Sequence, residues 1–152
     1  MKVEHSFGNE LLETREILKE FKAKKQNMTV LIVDDSSLII NKITEMLEDL
    51  PIVTDIKTSG TYELAVECFD YYKPDVVLLD INLPDKSGIE FLKYCKTILS
   101  RTVVIMVSNQ SSEYYKNICL HAGASYFLDK SKDFEKIPSI LVSLTDGWLL
   151  TS

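Results

Sequence analysis

From residue 28 onward the chain alternates short apolar runs, rich in β-branched residues, with longer stretches whose apolar positions recur at helical spacing. Met28–Val33 reads MTVLIV, a continuous apolar run that ends in Asp34 and Asp35, as expected of a strand buried on both faces. Ser36 and Ser37 then offer a helix cap, and Ile39, Ile43, Met46, Leu47 and Leu50 follow a helical period until Pro51. A weaker strand spans 52–57. The second helix places Tyr62, Ala65, Val66 and Phe69 on one face and ends before Pro74. Residues 75–79 (DVVLL) form another buried-strand run, followed by Asp80 and the turn chemistry of 82–88 (NLPDKSG). A third helix carries Phe91, Leu92, Cys95, Ile98 and Leu99. The fourth strand covers 102–107 and leads to Ser108. A fourth helix groups Tyr115, Ile118, Cys119 and Ala122 and closes at Gly123. The fifth strand spans 124–128 and ends near Lys130. A last helix starts around Pro138, or already at residues 134–136.

Five strand–helix units joined by short links predict one open parallel sheet with helices on both faces. No second core and no solenoid repeat is visible. At 152 residues, 45% of them hydrophobic, the chain is large enough for a single self-sufficient core. No apolar run approaches a membrane span and the start lacks a signal-peptide pattern, so the expected location is cytoplasmic. Cys68, Cys95 and Cys119 lie in apolar stretches and read as buried, reduced thiols rather than a disulfide or metal framework.

The net charge is −6, unevenly distributed. Residues 1–27 hold six basic and five acidic side chains, and residues 28–152 hold eleven and eighteen. Such a balance argues against a direct hold on nucleic acid, which relies on basic clusters. It also raises the question of where the acids sit.

In open α/β sheets, sites form beyond the carboxyl ends of the strands. Four of the five runs end there in Asp34–Asp35, Asp80, Ser108 and Asp129–Lys130. Taken singly, each has a bland reading: a turn or capping aspartate, a capping serine, a solvated lysine. Taken together, three carboxylates, a hydroxyl and an ammonium meet on one rim. Clustered carboxylates repel unless neutralised, and Mg²⁺ suits a site of few carboxylates completed by water and phosphate oxygens. The set resembles a phosphoryl-transfer site with a carboxylate nucleophile.

The residues carrying a family resemblance are LIVDDS (31–36), VVLLDINLPDKSG (76–88), VVIMVSN (103–109) and HAGASYFLDKS (121–131). Through them, residues 28–145 resemble the receiver domain of bacterial two-component response regulators. The resemblance implies a flavodoxin-like, doubly wound five-stranded parallel sheet. Before it lies an N-terminal helical extension or linker (1–27), and after it a tail (146–152). It further implies Asp80 as phosphoacceptor, and Mg²⁺ held by Asp35, Asp80 and the backbone carbonyl of Asn82, with Asp34 acting through a water. Lys130 would pair with the phosphoryl group. Ser108 would turn toward it, and Phe127 would follow as the switch aromatic. Pro84 and Gly88 match the loop that shapes the site.

The implied partners are a sensor histidine kinase or a histidine phosphotransfer protein, and a downstream protein effector. The effector would read the face of the fourth helix, fifth strand and fifth helix, with Tyr114 or Tyr115, Lys116 and Lys136 on offer. That face could also support a homodimer. Three positions depart from the common pattern: Ser108 for threonine, Phe127 for tyrosine, and Ser131 for the frequent proline.

Two rivals stand beside this reading. A pseudo-receiver would use the same fold without taking phosphate, although no expected site residue is missing. A haloacid-dehalogenase-type phosphatase shares the nucleophilic aspartate, hydroxyl, lysine and Mg²⁺ acids. It needs a second aspartate where Asn82 stands, so no more enzymatic activity is expected than turnover of the chain's own phosphoryl group. After the fifth helix too few residues remain for an effector, so the signal is expected to leave by protein contact or within a larger chain. Leu11, Leu18 and Phe21, with Glu20 four residues before Lys24, suggest an amphipathic helix in 9–25. Neither His5 nor His121 reads as a phosphotransfer histidine, and His121 suits a helix end.

Overall fold

The computed structural model describes residues 11–17 and 27–150. Residues 11–17 are helical and exposed; the rest of the expected amphipathic helix, including Leu18, Glu20, Phe21 and Lys24, lies outside the described residues, as does His5. From residue 28 the elements alternate as β1 (Met28–Val33), α1 (Ser37–Glu48), β2 (Val53–Ser59), α2 (Tyr62–Tyr72), β3 (Val76–Leu79), α3 (Gly88–Ile98), β4 (Val103–Ser108), α4 (Glu113–His121), β5 (Tyr126–Asp129) and α5 (Ile137–Leu150). The five strands form one parallel sheet in the order β2-β1-β3-β4-β5. This is the expected flavodoxin-like doubly wound sheet.

Strand alternation divides the core. Leu31, Val33, Val77, Leu79, Val104 and Met106 pack against α2, α3 and α4 through Ala65, Phe69, Phe91, Leu92, Cys95 and Cys119. Their sequence neighbours Val30, Ile32, Leu78, Ile105 and Val107 pack against α1 and α5 through Ile43, Leu47, Ile137 and Leu141. Both faces of β1, β3 and β4 are therefore covered, which is why these strands read as continuous apolar runs. Each fully buried Leu, Ile or Phe contributes roughly 1.5–3 kcal/mol from removal of its side chain from water.

Hydroxyl caps start four of the helices. Ser36, Thr61, Ser87 and Ser112 accept hydrogen bonds from the backbone N–H of Ile39, Leu64, Ile89 and Tyr115. At the far end of α2, Lys73 adopts a left-handed conformation (φ 47°) before Pro74. Gly123 (φ +111°) follows α4, a backbone geometry that suits glycine.

Several sequence expectations shift. β2 runs to Ser59, β4 to Ser108, and β5 begins at Tyr126 rather than Ala124. Ala124 is still closing α4, its N–H bonding the Cys119 carbonyl. A 3-10 turn, Phe134–Lys136, precedes α5, which begins at Ile137 and runs on through residues set apart above as a tail. Ile98 is 55% exposed, because the buried arc of α3 ends at Cys95. Cys68 is only half-buried, whereas Cys95 and Cys119 are buried. Burial pushes the Cys95 thiol up to about 12, keeping it protonated and unreactive.

Candidate functional site at the carboxyl rim of the sheet

The chain winds outward from β1 in both directions, to β2 on one side and β3 on the other, so the rim beyond β1 and β3 is the switch point where such sheets bind ligands. The end of β1 sits beside the end of β3: Val33 pairs with Leu79, and the Asp80 N–H donates to the Val33 carbonyl at 2.9 Å. The aspartates that follow these strands are thus placed by backbone pairing. Asp34, Asp35 and Asp80 each offer a carboxylate oxygen within 4.8 Å of the others. Asp34 and Asp80 are buried, while Asp35 is exposed.

β4 and β5 bring the remaining groups. Ser108 pairs with Asp129, and the Lys130 N–H bonds the Ser108 carbonyl at 3.1 Å. From there the Lys130 ammonium reaches Asp34 Oδ2 at 2.6 Å and Asp80 Oδ2 at 2.9 Å, its side chain only 9% exposed. Burial alone would lower the Lys130 pKa; the two carboxylates outweigh it and hold the ammonium above its ordinary value. Burial pushes the Asp34 carboxyl up, against the pull of Lys130 and of the Ser36 N–H, which donates to Oδ1 at 2.9 Å.

Three carboxylates face one ammonium, a surplus of two negative charges. Oxygen donors in that balance fit a hard divalent cation better than a second lysine or a thiophilic metal. The Asp34 oxygens are already engaged by Lys130 and Ser36, whereas Asp35 is exposed at the mouth.

The loop after β3 is shaped by its glycine. A Cβ on Gly88 would lie 1.9 Å from the Asp80 carbonyl oxygen, so only glycine lets α3 start so close beneath the site. The Gly88 N–H bonds the Ile81 carbonyl at 2.6 Å, and Asn82 pairs with Ser87 in an isolated antiparallel bridge. The Asn82 N–H points to Asp80 Oδ1 at 3.4 Å, and Pro84 is exposed at the loop's tip.

Ser108 is fully buried, and its Oγ accepts from the Gln110 N–H at 3.1 Å. It stands two residues beyond Met106, the strand partner of Phe127. Ser108 and the half-buried Phe127 therefore share the face covered by α2–α4. Next to Lys130, the Asp129 carboxylate accepts from the Ser131 N–H at 2.7 Å and the Ser131 hydroxyl at 2.6 Å. The Ser131 and Ser111 hydroxyls and the Ser131 amide hold Asp129 down at about 2. No described peptide bond is cis.

Two parts of this region have no signal in the local sequence. Asp85 reads as a turn residue, yet its carboxylate caps α2, with Tyr62 N–H at 2.8 Å and Glu63 N–H at 3.0 Å. Likewise, nothing near Asp129 announces Ser111 as a partner. His121 lies at the end of α4 with Nδ1 2.7 Å from the Asn117 carbonyl, a helix-end role.

The fold and rim define a doubly wound α/β protein with an acidic, lysine-bridged site at its switch point, and comparison with known proteins gives the family. The model of the "Response regulator receiver domain" matches residues 30–142. The chain is 28% identical over 123 residues to the DNA-binding transcriptional activator EvgA of Escherichia coli (strain K12), covering 80% of this chain and 59% of that protein. It is 32% identical over 117 residues to the chemotaxis protein CheY of Halobacterium salinarum, covering 77% of this chain and 93% of CheY. Among solved structures, the BeF3-activated receiver domain of DrrB, a Thermotoga maritima protein, superposes with a TM-score of 0.71 at 27% identity, covering 78% and 97% of the two chains. The chain belongs to the response regulator receiver family of two-component signalling. It spans about three fifths of the length of EvgA.

Proposed function

We propose that this chain accepts a phosphoryl group on Asp80 and uses the event to switch a protein-binding face. The observation that carries the reading is the convergence of Asp34, Asp35, Asp80 and Lys130 on one rim, with two buried carboxylates sharing a single ammonium. An Asp80 carboxylate oxygen attacks the phosphorus of a phosphohistidine on a sensor histidine kinase or a phosphotransfer protein. The new P–O bond replaces the P–N bond, and the imidazole leaves with the electron pair. Mg²⁺, when bound, neutralises charge on the transferring oxygens. Asp35, Asp80 and the Asn82 carbonyl would hold it, with Asp34 acting through a water because its own oxygens face Lys130 and Ser36. Lys130 then follows the phosphoryl oxygens and Ser108 donates to one of them.

Phosphorylation adds roughly −1.5 to −2 charges at the rim. Movement of Ser108 frees the space into which Phe127 turns, and the α4–β5–α5 face repacks. That face exposes Tyr114, set edge-on to Tyr115 at 5.3 Å, and carries Lys116 on α4 and the exposed Lys136 just before α5. We assign it to a downstream protein effector or a second copy of the chain, in the cytoplasm, without direct contact to nucleic acid. Its catalysis is confined to gain and loss of its own phosphoryl group.

Labelling with acetyl phosphate and Mg²⁺, read on a phosphate-affinity gel, tests the proposal. Wild type shifts, and Asp80→Asn does not. A wild type that takes no label from acetyl phosphate or from any histidine kinase makes the chain an interaction module instead.

A further inference from the structure

Asp85 ties the loop between β3 and α3 to the start of α2, and we infer that this tie positions the ion-binding edge of the site. The inference rests on the phosphoacceptor reading, since that edge is the Asn82 carbonyl beside Asp80. The first turn of α2 has amides that its own hydrogen bonds cannot satisfy. Thr61 takes one of them, its hydroxyl accepting from Leu64 N–H at 3.1 Å, while its carbonyl opens the regular helical ladder by accepting from Ala65 N–H at 3.0 Å. The other two belong to Asp85. Its Oδ1 accepts from Tyr62 N–H at 2.8 Å and its Oδ2 from Glu63 N–H at 3.0 Å. A carboxylate 22 residues down the chain thus completes the cap, where the helix dipole also favours it.

Seen from the loop, the same bonds are an anchor. Residues 82–87 are clamped at their base by the Asn82–Ser87 bridge and by Gly88 N–H on the Ile81 carbonyl. The base has no room to slide, because α3 begins against the Asp80 carbonyl. The tip is exposed at Pro84, Asp85 and Lys86. Asp85 pins it to α2, and the Lys86 ammonium lies 4.7 Å from the centre of the Tyr62 ring. That ring in turn meets Phe91 of α3 edge-on at 6.0 Å. Asn82 stands at the first residue of the clamp, with its peptide orientation set between a fixed base and a pinned tip. Asp85 is therefore a positioning residue: it touches no reacting atom, and it acts through the Asn82 peptide. Groups that orient metal ligands typically change affinity by one to two powers of ten when removed.

The test is Mg²⁺ titration calorimetry on the full chain, beside urea unfolding, for wild type, Asp85→Ala, Asp85→Asn and Thr61→Ala. Asp85→Ala weakens Mg²⁺ on the order of tenfold. Asp85→Asn, which keeps one accepting oxygen, falls between it and wild type. Thr61→Ala removes the hydroxyl cap of α2 without touching the loop, so its urea midpoint drops while Mg²⁺ affinity stays within about twofold of wild type. Asp85→Ala with wild-type affinity overturns the inference, as does an equal loss in Thr61→Ala, which would make the effect one of α2 stability alone. If Asp85→Ala does not fold, Asp85→Asn decides by the same criterion. A wild type that binds no Mg²⁺ overturns the ion site itself, a result told apart by the failure of all four proteins together.

Discussion

Lys130 and Asp129 are neighbours in sequence with opposite tasks. Lys130 turns inward to Asp34 and Asp80, while Asp129 accepts from the Ser131 amide and hydroxyl and is held low by Ser111 as well. The place of Lys130 on the rim was legible in the sequence, because a buried parallel strand delivers whatever follows it to that edge. The Asp129 role was not: its partner Ser111 comes from another loop. The Asp129 value lies below the ordinary 3.8, so its stabilising contribution is full above that pH and is lost as pH falls through about 2. Asp129→Asn removes the titration while leaving an accepting oxygen for Ser131. Between about pH 5 and about pH 2, its urea midpoint should fall less steeply than that of wild type. Parallel acid limbs for the two proteins would contradict the assignment.

At the scale of elements, periodicity identified all five strands and the helices that follow them, since each buries a distinct stripe or face. Boundaries were less accessible. Where β5 starts depends on how far the Cys119 carbonyl holds Ala124 in the turn after α4. The start of α5 depends on a 3-10 turn that tucks Phe134 under α1 and α5. Gly88 shows how one element constrains another, with α3 beginning where a side chain would strike the Asp80 carbonyl. Gly88→Ala should therefore cost about 2–3 kcal/mol in urea unfolding, at the upper end of overpacking penalties. If Asp80 is the phosphoacceptor proposed above, the change should also slow its labelling by acetyl phosphate, since relief of the clash moves the Asp80 backbone. An unchanged unfolding midpoint would argue against so close an approach.

For the whole molecule, two apolar clusters on opposite faces of one sheet hold the fold together, and residues 11–17 belong to neither. Leu11, Leu12 and Ile17 are half or more exposed. A chain lacking residues 1–25 should keep the receiver's circular dichroism and melt within about 2 °C of the full chain, and a larger drop would place part of the core's support in the extension. Light scattering on the same pair reads any role in dimerisation. The sequence by itself determined the alternation of strands and helices, the parallel sheet and the acid-rich rim. The physical reason is that buried strands and amphipathic helices must show their periods locally. Only the tertiary structure decided which helices cover which face, that Lys130 bridges Asp34 and Asp80, and that Asp85 caps a helix 22 residues before it. Those contacts join residues far apart along the chain, and they exist only once strand order and register bring the loops of separate units to one edge.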